Sequence, residues 1–286
     1  MILLVLTSHR TDCFDICLKC LEQNTDLTVF EKIYIMANDL APDHMQLAAG
    51  FARRHRNAVV VDFRPRGWVP LMQAQDAILS KHKNTVMVKI DEDVFVMPGW
   101  LQGLLKAYKY FAGKGCGLVS ALVPNNQVGR IMLHNAFCEL FADYNADDLH
   151  SIAMSKNTEY PVWLWKKFME GKLDFSWDGL LKGMKPQKIT SYLSINCILV
   201  DPEFLHCILP FDGSTDENNM NIGIQKTSYF GVVTPESVAH HYSFGPQQEV
   251  LDAHIHVPDL EPLLLGYGKK PVAIKHENYE QSIFPA

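Results

Sequence analysis

The chain has 286 residues, 48% hydrophobic and 20% charged, a balance that supports a sizeable core in one large α/β domain or two intimately packed lobes. A formal net charge of -6 excludes a general nucleic-acid binder, which needs a basic face, so no nucleic-acid partner is expected. No apolar run approaches the roughly 20 residues of a membrane-spanning helix, and the opening run Ile2 to Leu6 is too short, and lacks the basic lead-in, for a secretory signal.

In chain order, Ile2 to Leu6 reads as a buried strand, followed by the polar turn Thr7-Ser8-His9-Arg10 and an amphipathic helix from about Asp12 to Gln23. Lys32 to Met36 predicts a second strand ending in Ala37-Asn38-Asp39, and residues 42–56 a second helix. Ala58 to Phe63 gives a third strand, residues 64–70 a loop, and a third helix runs to about Lys81. A fourth strand, Val86 to Ile90, ends in Asp91-Glu92-Asp93. This alternation predicts a mostly parallel sheet with helices on both faces. Val94 to Gly99 reads as an apolar turn, Trp100 to Ala112 as a helix and Gly117 to Val123 as a strand. Residues 125–189 lose periodicity and carry Trp163, Trp165 and Trp177, aromatic rings that could stack on a sugar or simply fill a core. A strand returns at Ser194 to Val200, and the proline-rich last 30 or so residues read as an extended tail packed over the body.

The seven cysteines, Cys13, Cys17, Cys20, Cys116, Cys138, Cys197 and Cys207, are odd in number and sit in apolar contexts, which fits a reducing, cytoplasmic setting. Peripheral membrane contact is left open. Cys13, Cys17 and Cys20 share helical spacing and read as buried helix packing.

Three adjacent carboxylates at the end of an apolar strand read either as a solvated acidic turn or as a ligand-binding cluster. Alternation turns Asp91 and Asp93 to one side and Glu92 to the other. Two hard oxygen ligands at a strand's carboxyl end suit Mg²⁺ or Mn²⁺, and through the ion a diphosphate. On a shared rim of strand ends, Thr7 and Arg10 would meet a nucleotide, Asp39 would accept a hydrogen bond from a base, and Arg64 or Arg66 would face a phosphate. Asp216 and Glu217, at another junction, have the chemistry of a general base, although a helix cap would look the same. His240 and His241 are a further strand-end pair.

The order of these features resembles the GT-A glycosyltransferases, specifically the large family 2 type. Leu6-Thr7-Ser8-His9-Arg10 stands at that family's first polar turn, Met36-Ala37-Asn38-Asp39 at its second strand end, and Lys89-Ile90-Asp91-Glu92-Asp93 at its D-x-D motif. Leu209-Pro210-Phe211-Asp212, Asp216-Glu217 and Pro235 to His241 are similar to its acceptor-side turn, acidic pair and closing strand. The resemblance implies a GT-A, Rossmann-like, mostly parallel sheet flanked by helices, with an acceptor-side insertion. Residues 1–123 would form a donor half, 124–245 an acceptor and catalytic half, and 246–286 a C-terminal extension of one continuous domain. It implies a transferase of hexosyltransferase type using a nucleotide-sugar donor, with UDP-sugar expected, a saccharide or lipid-linked acceptor, and an inverting mechanism. Asp39 would bind the base, Asp91 would lie near ribose and metal, Asp93 and His241 would hold the Mn²⁺ or Mg²⁺, and Asp216 or Glu217 would be the base. The acidic pair departs from the family by its reversed order, and Gln75 stands where the family has Asn. Two other readings compete: a phosphohydrolase of the haloacid-dehalogenase type, since Asp91-Glu92-Asp93-Val94 also fits D-x-D-x-V, and a non-catalytic nucleotide- or sugar-binding protein of the same fold.

Overall fold

The computed structural model describes residues 1–146, 156–176, 178–212 and 214–267. Its first half follows the alternation above: β1 (Ile2–Thr7), α1 (Thr11–Asn24), β2 (Lys32–Asn38), α2 (Pro42–Arg54), β3 (Ala58–Phe63), α3 (Trp68–Leu79) and β4 (Met87–Asp91). β1 pairs in parallel with β2 and β4, and β2 with β3, so four carboxyl ends share one rim. Right-handed crossovers place α1 and α2 on one face and α3 on the other. Coverage on both faces explains why Ile2 to Val5 and Met87 to Ile90 are buried without alternation. Cys13, Cys17 and Cys20 are fully buried in α1, as their spacing predicts.

The next element is a correction. Val94 to Val96 form a short strand, β5, followed by α4 (Trp100–Phe111) and β6 (Cys116–Leu122). The aperiodic segment contains α5 (Gln127–Leu140), α6 (Glu159–Met169) and β7 (Gln187–Ile189). Then come β8 (Cys197–Val200), α7 (Pro202–Ile208), α8 (Asp216–Lys226) and the long β9 (Phe230–His241). β5 pairs antiparallel with Ala239 to His241 at the end of β9. Three residues are too few to show a period, and the partner strand is distant in sequence, so the pattern alone reads as a turn.

The strand order is β3-β2-β1-β4-β8-β6-β9-β5, with β7 added to β9. β8 runs antiparallel to β4 and β6, whereas β6 and β9 are parallel. The rim therefore collects the carboxyl ends of β1, β2, β3, β4, β6 and β9 together with the amino end of β8. Residues 194–196, which lead into β8, thereby arrive beside Asp91. Gly103 lets α4 lie directly on β9, since a Cβ there would collide with the Glu236 carbonyl.

The described part of the C-terminal segment, up to Tyr267, is helical where an extended tail was expected. It forms α9 (Gln248–His254), a 3₁₀ turn (Val257–Leu260) and α10 (Glu261–Gly266), burying Leu251, Leu260 and Leu264. Pro258 and Pro262 occupy first-turn positions, where no N–H is needed and the fixed φ favours helix. Pro271 and Pro285 lie outside the described residues. Among those residues no helix is long and apolar enough to cross a membrane.

Candidate functional site

A cavity of about 920 Å³ opens on the rim. Its lining brings together Thr7, Arg10, Arg66, Asp91, Asp93, Asp216, Glu217 and His241 from the sequence reading, but not Asp39.

The β1 turn is anchored by Glu92, whose partners differ from those of Asp91 and Asp93. Glu92 accepts hydrogen bonds from Thr7 Oγ1 at 2.7 Å, the Ser8 N–H at 2.8 Å and the His9 N–H at 3.1 Å. Because the Thr7 hydroxyl donates to Glu92, the buried His44 Nε2, 2.6 Å away, must donate to that hydroxyl. Burial holds His44 below the usual imidazole range, with Glu92 opposing. The middle acid of the motif thus shapes the loop that faces the ligand. Arg10 is committed elsewhere: its guanidinium bonds Asp12 and Asp252 and lies 4.8 Å over the Tyr242 ring, tying the start of α1 to α9.

Lys89 is the unexpected member. It is buried in β4, with Nζ 2.9 Å from Asp91 Oδ1 and 3.2 Å from Asp216 Oδ2, and it donates to the Ile195 carbonyl at 3.3 Å. The Asp216 contact is an ion pair in distance, though Oδ2 receives no well-directed hydrogen bond. Asn196 donates through Nδ2 to the other Asp91 oxygen at 3.2 Å. Burial pushes the Asp91 carboxyl up, Lys89 opposes it, and Asp216 and Asp93 add to the rise.

Asp93 faces the end of β9. Its Oδ2 lies 3.3 Å from His241 Nε2. Burial alone would raise the Asp93 carboxyl, but His241 outweighs it and brings it below the usual range. Reciprocally, burial would lower His241, and Asp93 lifts it above the usual imidazole value. The alternation of β9 sends the preceding His240 the other way, against Phe168, Phe175 and Trp165, where burial pushes its pKa down to about 3. His241 therefore faces the cavity, and His240 belongs to the core.

Thr215 caps α8, its hydroxyl accepting from the Asn218 N–H, and this sets Asp216 and Glu217 in the first turn. The cap itself is Thr215, so the two carboxylates sit inside the first turn, where the helix dipole favours them, and both line the cavity. They differ in surroundings. Asp216 is held by Lys89, while burial raises Glu217, with Lys89 opposing and Asp91 adding.

At the β2 and β3 ends, Asp39 adopts φ 55 and its carboxylate sits 3.5 Å from Arg64 Nε, outside the cavity lining. Arg66 donates to the Asp39 carbonyl at 2.8 Å, and Asn38 Oδ1 accepts from the Gly67 N–H at 3.0 Å. This organises the loop that carries Arg66 and Trp68 to the cavity. Of the three tryptophans of the aperiodic segment, Trp163 packs among Phe137, Phe141, Tyr144 and Tyr160, and Trp165 is buried against Phe95 and Tyr242. Neither lines the cavity, and Trp177 lies outside the described residues.

Spacing decides whether these donors suit a divalent ion. Two neighbouring ligands on an octahedral ion, each about 2.1 Å from it, are about 3 Å apart, close to the Asp93–His241 separation of 3.3 Å. Asp91 has less to offer, with its oxygens on Lys89 and Asn196. Among the described residues no group of three or more His, Cys, Asp or Glu side chains converges for a metal. The residues fit an ion that takes two ligands from the protein and the remainder from a bound phosphate and water.

A scan against protein-family models and a search of curated proteins found no match to this sequence. Solved structures do match. A mannosyltransferase, PcManGT from Pyrobaculum calidifontis, in complex with GDP-Man and Mn²⁺, aligns with TM-score 0.53 at 14% identity, over 92% of this chain and 67% of that one. GalNAc-T7, solved with UDP, GalNAc and Mn²⁺, aligns with TM-score 0.51 at 12% identity over 86% of this chain, which spans 44% of its length. Both are glycosyltransferases, and the α/β fold with its mostly parallel sheet is the GT-A fold expected from the motifs.

Lys89, Asn196 and Trp68 escaped the sequence reading. A lysine inside an apolar strand was the one available signal, because Lys is almost never fully buried unless paired.

Proposed function

We propose that this chain is a metal-dependent, inverting glycosyltransferase that moves a sugar from a nucleoside diphosphate sugar, UDP-sugar foremost, to an acceptor hydroxyl. The observation that carries it is the convergence in one cavity of Asp93 with His241 and of Asp216 with Glu217, joined through Lys89 and Asp91. Asp93 and His241 would hold Mn²⁺ or Mg²⁺, which offsets the charge growing on the leaving diphosphate. Asp91 would face the ribose, Arg66 a phosphate, and Asp39, outside the lining but joined to it through Arg66, the base, with the exposed Trp68 ring as its stacking surface. Glu217 is the better placed base, since its raised proton affinity suits it to take a hydroxyl proton while Asp216 is held by Lys89. Residues 1–123 would supply the donor half and 124–245 the acceptor half.

The phosphohydrolase reading needs Asp91 free to attack, and the contacts from Lys89 and Asn196 weigh against it. The test incubates the protein with UDP-sugars and GDP-mannose, with and without Mn²⁺, and follows nucleotide release. Metal-dependent release is expected, and Glu217→Gln should lower it by roughly 10²-fold or more. Phosphate release from sugar phosphates with no nucleotide sugar present would support the hydrolase instead. Undiminished turnover in Glu217→Gln and in Asp216→Asn would remove the proposed base.

A further inference from the structure

Among the described residues, the exposed large hydrophobic side chains include just two aromatic ones, Trp68 at 59% and Tyr192 at 50%, and both line the cavity. A single exposed ring means little. Tyr192 differs because the backbone around it is fixed while the ring is left open. The Leu193 N–H donates to Asn221 Oδ1 at 2.7 Å, Asn221 Nδ2 returns a bond to the Leu193 carbonyl at 2.9 Å, and Gln225 Nε2 bonds the Ser191 carbonyl at 3.1 Å. Both donor residues lie on α8, the helix that starts with Asp216 and Glu217. The ring is therefore held in a set relation to the proposed base, at little entropic cost on binding.

Charge narrows what the ring could receive. Among the described residues, the Lys and Arg side chains lining the cavity are Arg10, Arg66 and Lys89. Arg10 pairs with Asp12 and Asp252, Lys89 with Asp91 and Asp216, and Arg66 belongs to the β3 end. Of the lining residues, Ser194 and Asn196 follow Tyr192 closely in sequence, and Glu217 and Asn218 lie on the helix that braces its backbone, a set that suits hydroxyl groups and opposes a phosphate.

We infer that Tyr192 is the acceptor platform and that the acceptor presents a neutral pyranose ring to it, not a lipid phosphate. The inference rests on the glycosyltransferase reading. A pyranose has one apolar C–H face for the ring and hydroxyls at its edge for the amides and the base, matching an aromatic wall with polar neighbours.

The experiment is saturation-transfer NMR on the full chain with UDP and Mg²⁺, using methyl glucoside, methyl galactoside and methyl mannoside as probes and farnesyl phosphate as the rival. At least one glycoside should receive saturation, strongest on one face of its ring. Tyr192→Phe should keep this signal, and Tyr192→Ala should weaken binding roughly tenfold, while UDP affinity stays unchanged in both. Glycoside binding indifferent to Tyr192→Ala, no glycoside binding to the wild type, or saturation of farnesyl phosphate alone would each overturn the inference. Failure of the wild type to bind UDP in the same samples would instead count against the donor site.

Discussion

Replacing Lys89 with Met removes the cation on which the centre of the site is built. The side chain is 3% exposed, and its partners Asp91 and Asp216 are 25% and 5% exposed. At about 3 Å and an effective dielectric near 20, each pair is worth roughly 5 kcal/mol of attraction, which desolvation of the three charges largely cancels. The intact cluster is thus close to neutral for stability. Taking away only the cation is not, because it leaves a buried, uncompensated Asp216, at a cost of about 3–5 kcal/mol. Urea unfolding near neutral pH should show that loss, and Asp216→Asn added to Lys89→Met should recover about 1–3 kcal/mol of it. The pH dependence has a definite sign. Asp91 is already raised above its ordinary value with Lys89 opposing the rise, so without Lys89 it would rise further. A carboxyl raised in the folded state destabilises above its folded pKa, and the penalty fades as pH falls through that pKa. The gap between variant and wild type should therefore narrow from about pH 8 to about pH 5. A loss under about 1 kcal/mol, no rescue by Asp216→Asn, or a gap independent of pH would refute the buried-cluster account.

Acid sensitivity should trace in part to His240, whose folded pKa of about 3 is far below the ordinary value of about 6.5. The unfolded chain takes up a proton that the folded chain refuses, so stability falls below about pH 6.5 by up to about 1.4 kcal/mol per pH unit. His240→Phe, packed against Phe168 and Phe175, should lose that slope, and urea midpoints that move with pH equally in both proteins would contradict it. Gly103→Ala should cost on the order of 1–3 kcal/mol, since the new Cβ meets the Glu236 carbonyl and α4 must move off β9. A thermal midpoint unchanged from wild type would show that α4 does not lie so close.

The architecture through β4 was legible because local signals agreed: apolar strands, polar ends and helical spacing repeat up to that point. The alternation rule also assigned Glu92 to the far side of the motif from Asp91 and Asp93. It could not show that Glu92 binds the β1 turn, since that requires the register of β1 against β4. Lys89 was hidden for the same reason: its partners come from its own strand and from α8, which only the antiparallel insertion of β8 brings near. Arg10 does line the cavity, yet its pairing with Asp252 depends on α9, a seven-residue helix too short to show a clear period. Asp39 lies outside the cavity lining because the β2 end turns it toward Arg64, and of the two roles open to the tryptophans Trp163 and Trp165 take core packing, since neither exposure nor aromatic packing is written in a short motif.

The central claim is that the cavity binds a nucleoside diphosphate through an ion held by Asp93 and His241. Isothermal titration of UDP into the protein, with and without Mn²⁺, and into Asp93→Ala, tests it most directly. The account predicts binding to the wild type that depends on Mn²⁺ and that Asp93→Ala abolishes, with the variant still folded by circular dichroism. Mn²⁺-dependent binding that persists unchanged in Asp93→Ala, or no UDP binding to the wild type with the metal present, would contradict it.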